Sequence, residues 1–438
     1  MTKPLSREEM IGLVQAAKAA AEADRIPQAP DLTLYASPRS PFVRKVMVAA
    51  HETGLAERIE TVMVATSPMR PAPEVMRVPA AIYTDPARFQ QEVSQIFRRL
   101  PLVVTASAEL KKPGDYKALT MAGVPIVAVR GDDGAMRVFL NSCPHRGANV
   151  ALPGCGHAKR LTCPYHGWTF TTAGALIGIA REEDFGSIDK AAHGLIPLPT
   201  LERAGLIWAI LDPKSTLSIE AYLSGYDRAL AHFGFADWHV FSQRVIAGPN
   251  WKIAYDGYLD LYHLPVLHKA TFGPQMPNRA LYQAWGPHQR VQSPASHLIG
   301  DGAPPEAAWE ADVLMAGVWT IFPHVSIASF DAGGRGVMIS LLTPGAHVGE
   351  SFTTQLYLME KEPTEEQAKI ATEQFALLEY VVRVEDYDTG LRQQQALASG
   401  AREWVMFGRN EGGAQTFHGW VDRLLNTSDE ALPGLFSS

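Results

Sequence analysis

Cysteine is scarce in this chain, with three among 438 residues. That is too few for a disulfide scaffold and fits a reducing compartment. A large excess of charge of one sign is also missing, and the net charge of −7 argues against a nucleic-acid surface. No apolar run reaches the ~20 residues needed for a membrane span. The N-terminus carries Ser6-Arg7-Glu8-Glu9, a capping box opening an Ala-rich amphipathic helix, where a secreted protein would carry a signal peptide. These absences predict a cytoplasmic protein. The 46% hydrophobic content over this length is enough for two or three cores, and so for two or three domains.

Two of the three cysteines stand in short motifs of the same kind. Cys143-Pro144-His145 is followed by Cys163-Pro164-Tyr165-His166, each motif giving one thiolate and one imidazole. When two imidazoles replace two thiolates on one iron of a two-iron two-sulfur cluster, the potential rises to between about −150 and +300 mV, the Rieske arrangement. Cys143 and Cys163 would hold one iron, and His145 and His166 the other, near the surface where electrons enter and leave. Pro144 and Pro164 stiffen the loops, Gly147 and Gly167 let backbone approach the sulfurs, and Trp168 would pack beneath. The competing reading is structural zinc, which accepts the same donor set. Zinc fingers, however, usually pair Cys with Cys and His with His, whereas here each half is mixed. Cys155, in Pro153-Gly154-Cys155-Gly156, reads as a turn residue. His157 lies between the two motifs with nothing aiming it at iron.

On these motifs, and continuously from about Pro79 to the C-terminus, the sequence resembles the Rieske non-heme iron oxygenases, the large (alpha) subunits of ring-hydroxylating enzymes. The resemblance implies an α+β fold: an antiparallel-β Rieske domain, then a helix-grip-like catalytic domain whose sheet wraps helices carrying a mononuclear iron. The chain then divides into an N-terminal extension (1–78), an N-terminal helix of the oxygenase body (79–99), the cluster domain (100–213) and the catalytic domain (214–438). Alternating β-branched runs and Gly/Asp turns support the β-rich part, for example Ile126–Val129, Gly131-Asp132-Asp133-Gly134 and Met136–Leu140. Further strands are expected at Val318–Phe322, Gly336–Leu342 and Ser351–Glu360. A long helix is expected from the capping box Thr364/Gln367, with an apolar face of Ile370, Phe375, Leu378 and Val382.

A second constellation follows Asn250-Trp251-Lys252. Asp260 and His263 are three apart, which on a helix is one face, and Pro265 would bend the chain to bring His268 to the same point. Two neutral imidazoles and one carboxylate form the facial triad that suits ferrous iron and leaves positions open for oxygen. The resemblance places the carboxylate at Asp386, with Asp388 the fallback; two apart on a helix, only one can reach the site. It gives Asp260 a different task, to bond a ligating histidine and a cluster histidine of a neighbouring subunit, which implies a head-to-tail homotrimer with or without a small beta subunit. Many members of the family read Glu-Asn-Phe where this chain has Tyr255-Asp256-Gly257-Tyr258, a departure beside the iron. The remaining histidines read as core or surface groups, and Trp319, Phe322 and Phe330 are candidates to line the substrate pocket or to be core.

The resemblance further implies electrons that come ultimately from NAD(P)H through a flavin-containing reductase, directly or through a ferredoxin, with Arg146, Lys159 and Arg160 as a docking group or plain surface charge. The outcome would be mono- or cis-dihydroxylation, or oxidative demethylation, of a small organic and by default aromatic substrate. A Rieske electron carrier or redox sensor without oxygenase chemistry of its own and a zinc-stabilised binding protein are the alternatives. Residues 31–66 resemble the first βαβ unit of a glutathione transferase, too short to bury a core alone, and Ser67–Pro73 reads as a linker.

Overall fold

The computed structural model describes residues 32–36, 59–63, 74–273, 280–292, 302, 317–331 and 334–436. The helices predicted from Ser6 and from Ser40, and the linker at Ser67–Pro73, lie outside the described residues. The chain divides into two units. In the smaller, β1 (Leu32–Ala36) pairs in parallel with β2 (Ile59–Met63), Leu32 opposite Ile59. A parallel pair needs a crossover between its strands, as the βαβ reading requires.

The larger unit begins with β3 (Met76–Pro79) and α1 (Pro86–Glu92). Asp85 caps α1 by accepting the Ala87 amide at 2.7 Å, and Pro86 occupies the first turn, where no amide donor is needed. The cluster region follows as β4 (Leu102–Ala106), β5 (Asp115–Met121), β6 (Val124–Arg130), β7 (Met136–Leu140) and β8 (Gly154–His157). After these come β9 (Leu161–Thr162), β10 (Thr169–Phe170), β11 (Leu176–Gly178), β12 (Pro197–Leu198), β13 (Thr200–Arg203) and β14 (Leu206–Ala209). They form antiparallel sheets ordered β12-β7-β6-β5-β8, β11-β10-β9 and β13-β14-β4. The expected turn joins β6 to β7: the Gly134 amide donates to Gly131 O at 2.9 Å, and Gly134 has φ 79°, a conformation that glycine adopts without cost.

The second region carries α2 (Ile219–Leu223), α3 (Tyr226–Ala231), β15 (His239–Gly248), α4 (Trp251–Leu259) and α5 (Leu264–Leu267). Six more strands complete its sheet: β16 (Leu281–Trp285), β17 (His288–Gln292), β18 (Val318–Ile321), β19 (Val325–Asp331), β20 (Arg335–Pro344) and β21 (Ser351–Met359). All seven pair antiparallel in the order β15-β21-β20-β19-β18-β17-β16. Residues directly opposite in such a sheet share a face. One face therefore presents Val325, Ile327, Val337, Ile339, Leu356 and Leu358 to the main core. The other carries the buried row Thr320, Ser326, Ser340 and Gln355, and it is this face that meets the helices.

Thr364 opens α6 (Glu365–Tyr380) with the predicted capping box. The long helix is not regular beyond it. A π-helical segment, Val381–Tyr387, precedes α7 (Asp388–Ala398). Phe375, Leu378 and Val382 are buried as expected, but Ile370 is exposed and Ala371 takes the inward position. The chain closes with β22 (Trp404–Phe407), which pairs with β3, and α8 (Gly412–Leu425). Among the described residues no helix is long and apolar enough to cross a membrane.

Candidate metal centres

The two cluster loops are built alike. In the first, the Cys143 amide donates to Ala148 O at 2.8 Å and the Gly147 amide to Cys143 O at 2.8 Å. In the second, Cys163 donates to Trp168 O at 2.8 Å and Gly167 to Cys163 O at 3.0 Å. Both glycines have positive φ, 77° and 68°, which lets each loop double back with its Cys and His on one side. The thiols of Cys143 and Cys163 are buried, and burial together with the neighbouring Cys163 pushes the Cys143 thiol up. The imidazoles of His145 and His166 are partly exposed, with ring centres 4.5 Å apart. Trp168 lies beneath, stacked on His145 at 5.2 Å and 6°. Two buried sulfurs inside and two imidazoles outside fit the donor set of a [2Fe-2S] cluster with mixed ligands.

Cys155 is not a turn residue but lies on β8, and its Sγ faces Glu109 Oε1 at 3.7 Å, away from the pair. Its exposure comes from the edge position of that strand. His157 bonds Asp115 at 2.9 Å. Arg146, Lys159 and Arg160 are all exposed on this part of the surface.

The second centre is assembled from two segments. Asn250 caps α4 through its side chain: Oδ1 accepts the Lys252 backbone amide at 2.9 Å, and Nδ2 donates to Val348 O at 2.7 Å. Trp251 and Lys252 both dock on buried Glu92 of α1: the indole N–H donates at 2.9 Å and the ammonium pairs with the same carboxylate oxygen. The Asn-Trp-Lys motif thus anchors the helix that leads to the site. Asp260 and His263 do meet, Oδ2 to Nδ1 at 2.9 Å, but not on a shared helical face. The helix has ended at Leu259, and Asp260 has extended backbone (φ −123°, ψ 133°). Its Oδ1 accepts the Tyr262 amide, so an aspartate turn, not helical spacing, brings the two together. Pro265 likewise does not bend a helix. It sits in the first turn of α5, between His263 and His268.

His263, His268 and Asp386 converge, with one ligand atom of each within 4.8 Å of the others. Asp386 Oδ1 lies 3.0 Å from Nε2 of His268 and 3.8 Å from Nε2 of His263. Burial opposes charge on His268, but the Asp386 and Glu385 carboxylates outweigh it and raise its pKa. Two imidazole Nε2 atoms and one carboxylate oxygen, partly reachable by solvent, fit a facial-triad metal with open positions. Asp388 is exposed and takes no part.

A cavity of about 240 Å³ adjoins these groups, lined among others by Asp256, Tyr258, Asp260, His263, Asp386 and Glu411. Burial and the Asp260 and Asp256 charges raise the Glu411 carboxyl above the usual carboxylate range. Asp256 accepts from Tyr83 at 2.7 Å and meets buried His418 at 2.9 Å. Tyr258 bonds Tyr387 at 3.1 Å, and Tyr387 bonds Thr353 at 2.5 Å. Trp319, Phe322 and Phe330 line none of this. Trp319 stacks on Tyr226 and Trp285, Phe322 packs on Phe417, and Phe330, partly buried, packs against the cluster that includes Met338 and Phe375.

Sequence reasoning did not single out Glu385, Glu92, Tyr83 or His418. Only Glu385 had a local signal, its place beside Asp386; the others are joined to the site from more than a hundred residues away.

Comparison with known proteins defines the class in two parts. The Rieske [2Fe-2S] domain matches residues 101–190, and the catalytic domain of the ring hydroxylating alpha subunit matches residues 235–427. The chain belongs to the Rieske ring-hydroxylating oxygenase alpha subunits. It is 36% identical over 194 residues to the oxygenase subunit of carnitine monooxygenase from Acinetobacter baumannii, covering 43% of this chain and 52% of that protein. Over 196 residues it is 34% identical to the alpha subunit of benzene 1,2-dioxygenase from Pseudomonas putida, covering 43% of each. The matches thus span about half the length of these relatives. In fold it resembles a quaternary ammonium Rieske monooxygenase in complex with gamma-butyrobetaine (TM-score 0.67, 24% identity, 81% of this chain and 97% of that one). It also resembles naphthalene 1,2-dioxygenase from a Rhodococcus species (TM-score 0.67, 20% identity, 80% and 95%).

Proposed function

We propose that the chain is the oxygenase component of a Rieske system, inserting oxygen from O2 into a small organic substrate by hydroxylation or oxidative demethylation. The observation that carries this is the convergence of His263, His268 and Asp386 beside a cavity. A protein that only carried electrons would have no need of it. In this reading Cys143, Cys163, His145 and His166 hold the cluster, and His263, His268 and Asp386 hold ferrous iron. The cluster supplies single electrons, and the iron supplies the site at which O2 is reduced.

The protein's own part is positioning. Asp260 accepts a hydrogen bond from Nδ1–H of His263 and so leaves its Nε2 lone pair, on the Asp386 side of the ring, for the metal. The burial of Cys143 and Cys163 keeps water from the sulfur side, while the partly exposed His145 and His166 form the edge through which electrons pass. Arg146, Lys159 and Arg160 beside that edge would meet an acidic reductase or ferredoxin. A head-to-tail trimer in which the cluster edge of one subunit approaches Asp260 of the next, a cytoplasmic setting, and the division at residues 79, 100 and 214 belong to the same proposal.

The test is an iron count on anaerobically reconstituted protein, with substrate-dependent oxygen uptake. About three irons per chain are expected, together with the spectrum of a histidine-ligated cluster. A count near two with no uptake on any substrate would leave an electron carrier, and a colourless zinc protein would overturn the proposal altogether.

A further inference from the structure

We infer that Glu385 is a positioning residue for the mononuclear site and forms, with Asp386, a clamp of two successive carboxylates on a single imidazole. The inference rests on the proposed metal role of His263, His268 and Asp386. Glu385 Oε2 lies 2.7 Å from Nδ1 of His268, and Asp386 Oδ1 lies 3.0 Å from Nε2 of the same ring. Neighbouring side chains thus grip opposite edges of one histidine. A carboxylate at Nδ1 keeps the proton on that nitrogen, which leaves Nε2 as the nitrogen that would give its lone pair to the metal held jointly with Asp386.

Glu385 also holds the chain beyond the ring. The Thr271 hydroxyl lies 2.9 and 2.7 Å from its two oxygens, and the Thr271 amide donates to His268 O at 3.1 Å. One partly buried carboxylate therefore fixes both the imidazole and the turn after α5. His263 is held differently, by Asp260 from its own turn, and Asp260 lines the cavity. Of the two carboxylates that meet a histidine Nδ1 here, only Glu385 ties the histidine segment to the π-helical segment bearing Asp386. It reaches inward from that π-helical stretch, an irregularity that recurs at functional sites. Loss of Glu385 should therefore weaken metal retention while leaving the cluster loops untouched.

The test uses the full chain with its cluster in place and the mononuclear site emptied by chelation. It is titrated anaerobically with Fe(II), followed by calorimetry and by near-infrared magnetic circular dichroism of the ferrous site. Glu385→Ala should lower Fe(II) affinity about 10- to 100-fold and shift the ligand-field bands. Glu385→Gln, which keeps an acceptor oxygen without the charge, should fall between, and Glu385→Asp should recover part of the loss. Cluster absorbance and the unfolding midpoint should stay at parental values.

Parental affinity and bands in both Glu385→Ala and Glu385→Gln would overturn the inference. So would a loss that appears only in step with a fall in cluster content and unfolding midpoint, which marks a merely structural role. Should the alanine variant fail to fold, the near-isosteric glutamine variant decides. Asp386→Ala separates this inference from the reading beneath it: unchanged Fe(II) binding there defeats the site itself, whereas lost binding there with none lost at Glu385 defeats only the clamp.

Discussion

Aspartates of one type do different work according to what they touch. Asp386 faces two Nε2 atoms and Asp260 faces one Nδ1, so one is placed to hold the metal and the other to orient a ligand. Asp386→Ala should empty the mononuclear site and abolish turnover while leaving the cluster spectrum intact; the iron count checks this. Asp388→Ala, a change at an exposed position, should leave both unchanged. Asp260→Asn should retain iron but slow reoxidation of the reduced cluster by O2 and substrate on the order of 10- to 100-fold, measured by stopped flow. Parental reoxidation rates would remove Asp260 from the electron path. The cysteine and histidine positions were legible because their order along the chain is their chemistry, whereas Glu385 was not, because its role depends on a ring 117 residues away.

At the scale of elements, α4 is held by an ion pair that no local pattern announces. Glu92 of α1 and Lys252 of α4 are both fully buried, and Glu92 also takes the Trp251 indole and Arg88. Burial lowers the Lys252 pKa, and the Glu92 charge counters it. Removing one partner strands the other in a medium that cannot solvate it. Glu92→Ala should therefore cost about 3–5 kcal/mol of stability, whereas Glu92→Leu with Lys252→Met should cost far less. Urea denaturation of the three proteins distinguishes these outcomes, and equal losses in both would show that volume, not charge, matters there. Helical periodicity located α6 but not the π-helical stretch after it, since the i, i+3, i+4 pattern continues through Leu378 and Val382 while the hydrogen bonding changes register. The Asp260–His263 pairing was likewise expected for the wrong reason: three-residue spacing serves an aspartate turn as well as a helix.

Two buried histidines link the larger unit across its parts. His324, between β18 and β19, accepts the Val103 amide of β4 at 2.9 Å, joining the catalytic sheet to the cluster region. His288 bonds Tyr222 O at 3.0 Å through Nε2 and accepts the Phe322 amide at 3.2 Å through Nδ1, which requires the neutral ring. Burial pushes His288 down to about 4 and His324 down to about 3. Because both folded values lie below the unfolded value near 6.5, the unfolded chain binds more protons as pH falls. The stability these rings confer is complete above about 6.5 and is lost as pH drops towards their folded values, by about 1.4 kcal/mol each at about pH 5.5. His288→Asn should remove about half of that acid slope, read from unfolding free energies at pH 7.5 and about 5.5; an unchanged slope would assign it elsewhere.

By itself the sequence determined which donors stand in metal-binding patterns, two mixed Cys/His motifs and two spaced histidines, while the carboxylate at Asp386 came from the family resemblance. It did so because ligand chemistry is written in residue type and short spacing. Only the tertiary structure decided that His268 meets a carboxylate at each nitrogen, that Asp256 answers to Tyr83 and His418, and that Trp319 and Phe322 are core. Those outcomes depend on which distant segments the seven-stranded sheet brings face to face, and on burial that sets the cost of every unpaired charge.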